Sequence, residues 1–198
     1  MIVIGLSGKA GSGKNHLADL VKAKYEGVKL FVCATSLKII CAEMSGLPLE
    51  DMYTSEGKAK ETWITWEMLN LREEKYYNRK GFLTVRDLQQ VVGTEVLRDG
   101  FSVNYHVNKL VASIQASNCK IAIVTDVRFK NEAGAIAGLG GHNIRMTGRG
   151  GIAGGHVSED VMFQEDGLIL NGPNHDNASL MVQLESILPE LKECETNG

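Results

Sequence analysis

The residues of this chain best suited to chemistry form one short run, Gly8-Lys9-Ala10-Gly11-Ser12-Gly13-Lys14-Asn15. Its types and spacing suit the holding of phosphate. Glycines let the backbone curl so that successive N–H groups point at one centre. A helix that starts at Lys14 aims roughly half a positive charge at the same place. Lys14 adds a full charge that can reach the β- and γ-phosphates of a nucleotide. The next position normally holds a Ser or Thr whose hydroxyl binds Mg²⁺. Here it is Asn15, followed by His16. The Asn15 amide oxygen can coordinate weakly, or a water can bridge it to the metal. Gly8 through His16 is therefore the candidate site for a donor nucleotide, with Asn15 a candidate metal ligand.

A second set of charged residues lies downstream. The apolar run Lys120-Ile121-Ala122-Ile123-Val124 leads into Thr125-Asp126, with Arg128 just beyond. An apolar strand ending in Asp, in a chain with a phosphate-binding loop, is a candidate metal-adjacent carboxylate. Ligands of parallel sheets bind outside the carboxyl ends of the strands, so Asp126 and Arg128 should share an edge with the loop. The plainer alternative is that Asp126 caps a helix beginning near Lys130. Glu132 lies in the first turn of that helix and could face the same cleft. Arg86 sits in the first turn of a helix with Thr84 as N-cap and Asp87 as its capping-box partner. A cation is disfavoured there by the helix dipole, which makes Arg86 a weak functional candidate. Arg149 lies in the Gly-rich stretch from Gly148 to Gly155, the composition of a lid that closes over phosphates. Two separate cationic clusters imply two phosphate-bearing ligands.

These residues need a frame to position them. Ile2 to Leu6 reads as a buried strand, and Leu17, Leu20 and Val21 give the following helix an apolar face. Val28 to Cys33 is a second strand. Ser36 is a candidate cap for a helix with Leu37, Ile40, Cys41 and Met44 on one face, ending at Gly46 and Pro48. Leu49 to Phe82 is charged and carries Trp63, Trp66, Tyr76 and Tyr77. One helix over Thr62 to Glu74 is expected there, in an insertion that either covers substrate or forms a solvated surface. Helices follow over Thr84 to Thr94 and Val103 to Ser117. The strand at Lys120 to Asp126 comes next, then strands at His142 to Thr147 and Asp166 to Asn171, and a last helix from Ala178 to Leu188. The alternation of strand and helix predicts an α/β fold with a parallel five-stranded sheet.

Bulk composition narrows the function. The chain has 198 residues, of which 43% are hydrophobic and 23% charged, enough for one domain with insertions. The net charge of −3 argues against general binding of polymeric nucleic acid. No apolar run could span a bilayer, and the apolar start lacks the basic leader and cleavage site of a signal peptide. Cys33, Cys41, Cys119 and Cys194 show no C-x-x-C spacing and read as buried thiols of a reducing compartment.

Taken together, these segments resemble the deoxynucleoside monophosphate kinases of tailed bacteriophages, in the nucleoside-monophosphate-kinase group of P-loop proteins. The resemblance rests on Leu6-Ser7-Gly8 through Lys14, Val85-Arg86-Asp87-Leu88 with Gly93-Thr94, and Thr125-Asp126-Val127-Arg128 with Asn131-Glu132. It continues through Gly140-Gly141, Arg145 to Arg149, His156-Val157-Ser158-Glu159 and Asn171. Leu49 to Phe82 is the least matched part. The Asp-x-Arg-x-x-Asn-Glu and His-x-Ser-Glu pieces make it specific, since the loop alone is widely shared.

The resemblance implies a three-layer P-loop fold over 1–198, with a covering insertion at 49–82 and a lid at 148–162. It also implies transfer of the ATP γ-phosphoryl group to a deoxynucleoside monophosphate with Mg²⁺. Gly8 to His16 would hold ATP. Arg86, Gly93, Thr94, His106, Asp126, Arg128 and Glu132 would bind the acceptor, and Arg145 and Arg149 would belong to the lid. Lys14, Arg128 and Arg149 would be catalytic, and Asn15 and Asp126 would serve Mg²⁺, through water in part. His106 stands where relatives carry a tryptophan near the base pocket. The expected setting is the cytoplasm, that of the host if a phage encodes the chain, and the expected partners are the two nucleotides and a second copy of the chain. The alternatives are another small-molecule kinase, of phosphomevalonate or dephospho-coenzyme A type, a nucleotide-binding module without turnover, or an ATPase driving a partner.

Overall fold

A computed structural model describes residues 1–9, 11–71, 73–148 and 163–194. The chain divides into two compact units, residues 1–33 with 107–198, and residues 34–106. The first is built on five strands: β1 (Ile2–Ser7), β2 (Val28–Phe31), β5 (Ile121–Val124), β6 (His142–Thr147) and β7 (Gly167–Leu170). They pair in the order β2-β5-β1-β6-β7, and every pairing is parallel.

The sheet is covered on both faces, which explains why its central strands read as continuous apolar runs. Alternate residues of one strand serve opposite faces. Ile4 and Leu6 join a cluster with Leu17, Val21, Leu180 and Leu184, from α1 (Lys14–Lys24) and α6 (Asn177–Ile187). Val3 joins the opposite cluster with Leu110, Ile114, Ala133 and Ile136, from α4 (Tyr105–Gln115) and α5 (Lys130–Gly138). Each buried Ile or Leu of this kind contributes about 1.5–3 kcal/mol. Helices α1 and α6 are also tied by polar groups. Lys24 and the Tyr25 hydroxyl both donate to Glu185, at 2.6 and 3.0 Å, and His16 Nε2 lies 2.7 Å from Asn177 Oδ1.

The second unit holds α2 (Thr35–Ser45), α3 (Val85–Val91) and an antiparallel hairpin of β3 (Glu61–Thr65) and β4 (Phe82–Thr84). Its core gathers Cys41, Met52, Ile64, Trp66, Tyr76, Leu83 and Leu88. Three expectations fail here. Thr62 to Glu74 is not a helix: strand β3 buries Thr62 and Ile64 and exposes Glu61 and Trp63, the alternation of a half-buried strand. Nor does Ser36 cap α2, since the helix already begins at Thr35. Met44, assigned to the buried face of that helix, is exposed. The capping box at the start of α3 is present as expected, with Thr84 and Asp87 exchanging hydrogen bonds. Beyond α3 the chain runs on as a π-helix from Val92 to Asp99.

All four cysteines are free thiols, three buried and Cys194 half-buried. No helix among the described residues is long and apolar enough to cross a membrane.

Candidate functional site

The glycine-rich loop from Gly8 follows β1 directly. Gly8, Gly11 and Gly13 have φ of 132°, 78° and 99°, in the region that favours glycine. At Gly8 and Gly13 space matters as well. A Cβ on Gly8 would lie 2.4 Å from the Met146 carbonyl oxygen, and one on Gly13 would lie 2.3 Å from Asn171 Nδ2. The Asn171 amide explains the second close approach, because it donates to the Ser12 carbonyl at 2.9 Å and pins the loop to the end of β7. Ser12 is fully buried. Lys14 Nζ folds across the loop and donates to the Gly8 and Lys9 carbonyls, at 2.7 and 2.9 Å. The first turn of α1 has no capping side chain and no acid, so nothing in it competes with an anion. Asn15 and His16 are exposed in that turn. Ala10 lies outside the described residues.

Strand β5 is the parallel neighbour of β1, with Gly5 opposite Val124. The pairing continues past the strand: the Val127 N–H donates to the Leu6 carbonyl at 3.1 Å. Arg128 therefore leaves the sheet one strand from the loop that carries Lys14, at the same carboxyl edge. Its side chain is exposed, and among the described residues it has no ion-pair partner. Asp126 does not cap α5, whose N-cap is Phe129. Its Oδ1 instead accepts the Cys33 N–H at 3.0 Å. Glu132 is buried, and its Oε2 accepts the N–H groups of Arg128 and Phe129 at 2.7 and 3.0 Å. Burial pushes the Glu132 carboxyl above its usual range, against the pull of those two N–H groups.

Arg145 lies within β6, opposite Ser7, and not in a loop. Its guanidinium is 3.7 Å from Glu165, whose carboxyl burial pushes up. Arg149 and the rest of 149–162, including His156, fall outside the described residues. Arg86, Gly93, Thr94 and His106 belong to the second unit. Arg86 is exposed in the first turn of α3, and Gly93 and Thr94 are half-buried in the π-helix. Gly93 is packed close: a Cβ there would meet Leu37 Cδ2 at 2.9 Å. His106 stacks edge-on against Tyr105, with ring centroids 5.3 Å apart.

Comparison with known proteins agrees with this geometry. No protein-family model matches the chain. A protein of Acanthamoeba polyphaga mimivirus named "Putative deoxynucleotide monophosphate kinase" is 31% identical over 164 aligned residues, covering 77% of each chain. The chain belongs to the deoxynucleotide monophosphate kinase family. A parallel α/β sheet with a glycine-rich loop after its first strand is consistent with such a kinase. Sequence reasoning reached Asn171 only through resemblance, because its contact with Ser12 spans 159 positions. It missed the part Cys33 plays beneath Asp126 and Glu132, which no local pattern announces.

Proposed function

We propose that this kinase transfers the γ-phosphoryl group of ATP to a deoxynucleoside monophosphate, giving ADP and a deoxynucleoside diphosphate. The observation that carries the reading is the pairing of β1 with β5, which sets the loop of Lys14 and the exposed Arg128 on neighbouring strand ends. One cationic centre suits a nucleoside triphosphate and the other a second phosphate. The acceptor is already an anion, so positioning and charge neutralisation matter more than a strong base. In this reading the loop N–H groups and Lys14 hold the donor phosphates, and Arg128 grips the acceptor phosphate with a bidentate fork. Arg149 completes the enclosure and excludes water. The acceptor-binding roles of Arg86, Gly93, Thr94 and His106 rest on the resemblance.

Mg²⁺ fits the donor set at the loop. Asn15 offers an exposed carboxamide oxygen and Asp126 a carboxylate with one oxygen already engaged by Cys33, hard ligands that leave room for water. Bound with ATP, the ion would neutralise charge on the β- and γ-oxygens. Kinship to phage enzymes and a host-cytoplasm setting belong to the same proposal.

The test is an acceptor panel: labelled ATP and Mg²⁺ with each of the four common deoxynucleoside monophosphates, and with phosphorylated acceptors lacking a base. Label is expected to move to at least one deoxynucleotide in preference to every base-free acceptor. ATP binding without transfer would favour a nucleotide-sensing module, to which the amide at Asn15 lends some support. ADP release without any acceptor would indicate an ATPase.

A further inference from the structure

The segment that carries Arg128 is fastened by hydrogen bonds at both ends. At one end Asp126 accepts the Cys33 N–H. At the other, Glu132 accepts the N–H groups of both Phe129 and Arg128. Cys33 itself is buried, in the cluster of Val124, Val127 and Ile136. The bond to Phe129 is ordinary, because an acid at the third helical position commonly accepts the N-cap N–H. The bond to Arg128 is shorter and lies outside the helix, where a cap has no need of it. Burying a carboxylate is costly unless its hydrogen bonds are satisfied, so this arrangement is retained against a penalty.

We infer that Glu132 is a positioning residue for Arg128. Glu132 fixes the main chain from which the guanidinium projects and does not touch the acceptor. The inference rests on reading Arg128 as the acceptor clamp. A long flexible side chain loses less freedom on binding when its backbone is already fixed, and displacement of a clamp by about 1 Å can cost about 100-fold in rate. The competing role is direct contact of Glu132 with the base or sugar.

A double-mutant cycle separates the two roles. Acceptor KM, ATP KM and kcat are measured for the wild type, Glu132→Ala, Arg128→Ala and the double variant, with Glu132→Gln alongside. Positioning predicts that Glu132→Ala raises acceptor KM by about 10- to 100-fold while ATP KM stays close to wild type. Glu132→Gln, which keeps an oxygen acceptor of the same shape, should recover most of the loss. The double variant should be no worse than Arg128→Ala, whereas penalties that multiply would overturn the inference.

Amide hydrogen exchange without substrates gives a readout free of activity. The amides of Arg128 and Phe129 should exchange at least about 10-fold faster in Glu132→Ala than in wild type, with Glu132→Gln in between. Unchanged exchange would overturn the inference even if the kinase reading held. A wild type that phosphorylates no acceptor would refute the kinase reading and leave the exchange result to decide the role of Glu132. If Glu132→Ala does not fold, Glu132→Asp, whose shorter side chain draws the carboxylate back from the two N–H groups, carries both measurements.

Discussion

Lys14 is the residue on which the proposed donor site turns. Its ammonium already lies against the carbonyls of the curled loop, where triphosphate oxygens would arrive. Lys14→Ala should lower kcat by about 100- to 1,000-fold, the usual loss when a preorganised charge partner is removed. Thermal stability should hardly move, because the side chain is only half-buried. Near-normal turnover in this variant would discard the donor assignment. Two carboxylates make opposite predictions with pH. Glu132 has its folded pKa above the usual value near 4.5, chiefly because it is buried. Its charged form is the one that folding disfavours, so it weakens the fold at neutral pH, and that drag is relieved as pH falls through the folded value toward the usual one. Glu185 has its folded pKa below the usual value, chiefly because Lys24 bonds to it. Its stabilisation is present above the usual value and is lost as pH falls through the folded one. Melting curves against pH should therefore show the wild type gaining on Glu132→Gln during acidification and losing its advantage over Glu185→Gln. Parallel curves for both variants would contradict the two assignments.

Elements differed in how plainly the sequence announced them, and the difference is physical. The box at Thr84 and Asp87 is local, two residues three apart that satisfy each other's backbone, and it was read correctly down to its partners. Thr84→Ala should cost about 1 kcal/mol in unfolding free energy. It should also lower occupancy of the first turn that carries Arg86, which a denaturant titration together with circular dichroism can follow. Strands β1 and β5 were legible for a related reason, since burial on both faces leaves unbroken apolar runs. The hairpin was not legible. Its exposed face carries Trp63, 61% accessible, whose indole N–H bonds the Met44 carbonyl, and Phe82 is exposed as well. Large apolar residues on the outer face hide the two-residue period. The π-helix from Val92 to Asp99 was equally hidden, because nothing in its composition distinguishes it from a continuation of α3. Within the candidate site, spacing in the sequence led to the loop and to Arg128, and the structure sets both at one edge of the sheet. The clamps at Asn171 and Cys33 depend on contacts across the whole unit.

At the scale of the whole molecule, the two units have separate cores, and each core holds a thiol that can report on it. Cys41 lies in the cluster with Leu83 and Trp66, and burial pushes its pKa up to about 12. Cys33 lies in the cluster with Val124 and Ile136, and burial together with the charges of Glu132 and Asp126 pushes its thiol higher still. Near pH 8 both are protonated and shielded, so each can be alkylated only when its surroundings open. The labelling rate of each thiol then measures the opening free energy of its own unit. Leu83 is fully buried, and Leu83→Ala should remove about 2–5 kcal/mol of local stability. If the cores are independent, that loss appears as faster labelling of Cys41, with Cys33 affected much less. Ile136→Ala, made in the other core, should produce the reverse pattern. Mass spectrometry of peptides after timed alkylation resolves the two sites. Equal acceleration of both thiols by either substitution would mean that the chain opens as one cooperative body, despite having two cores.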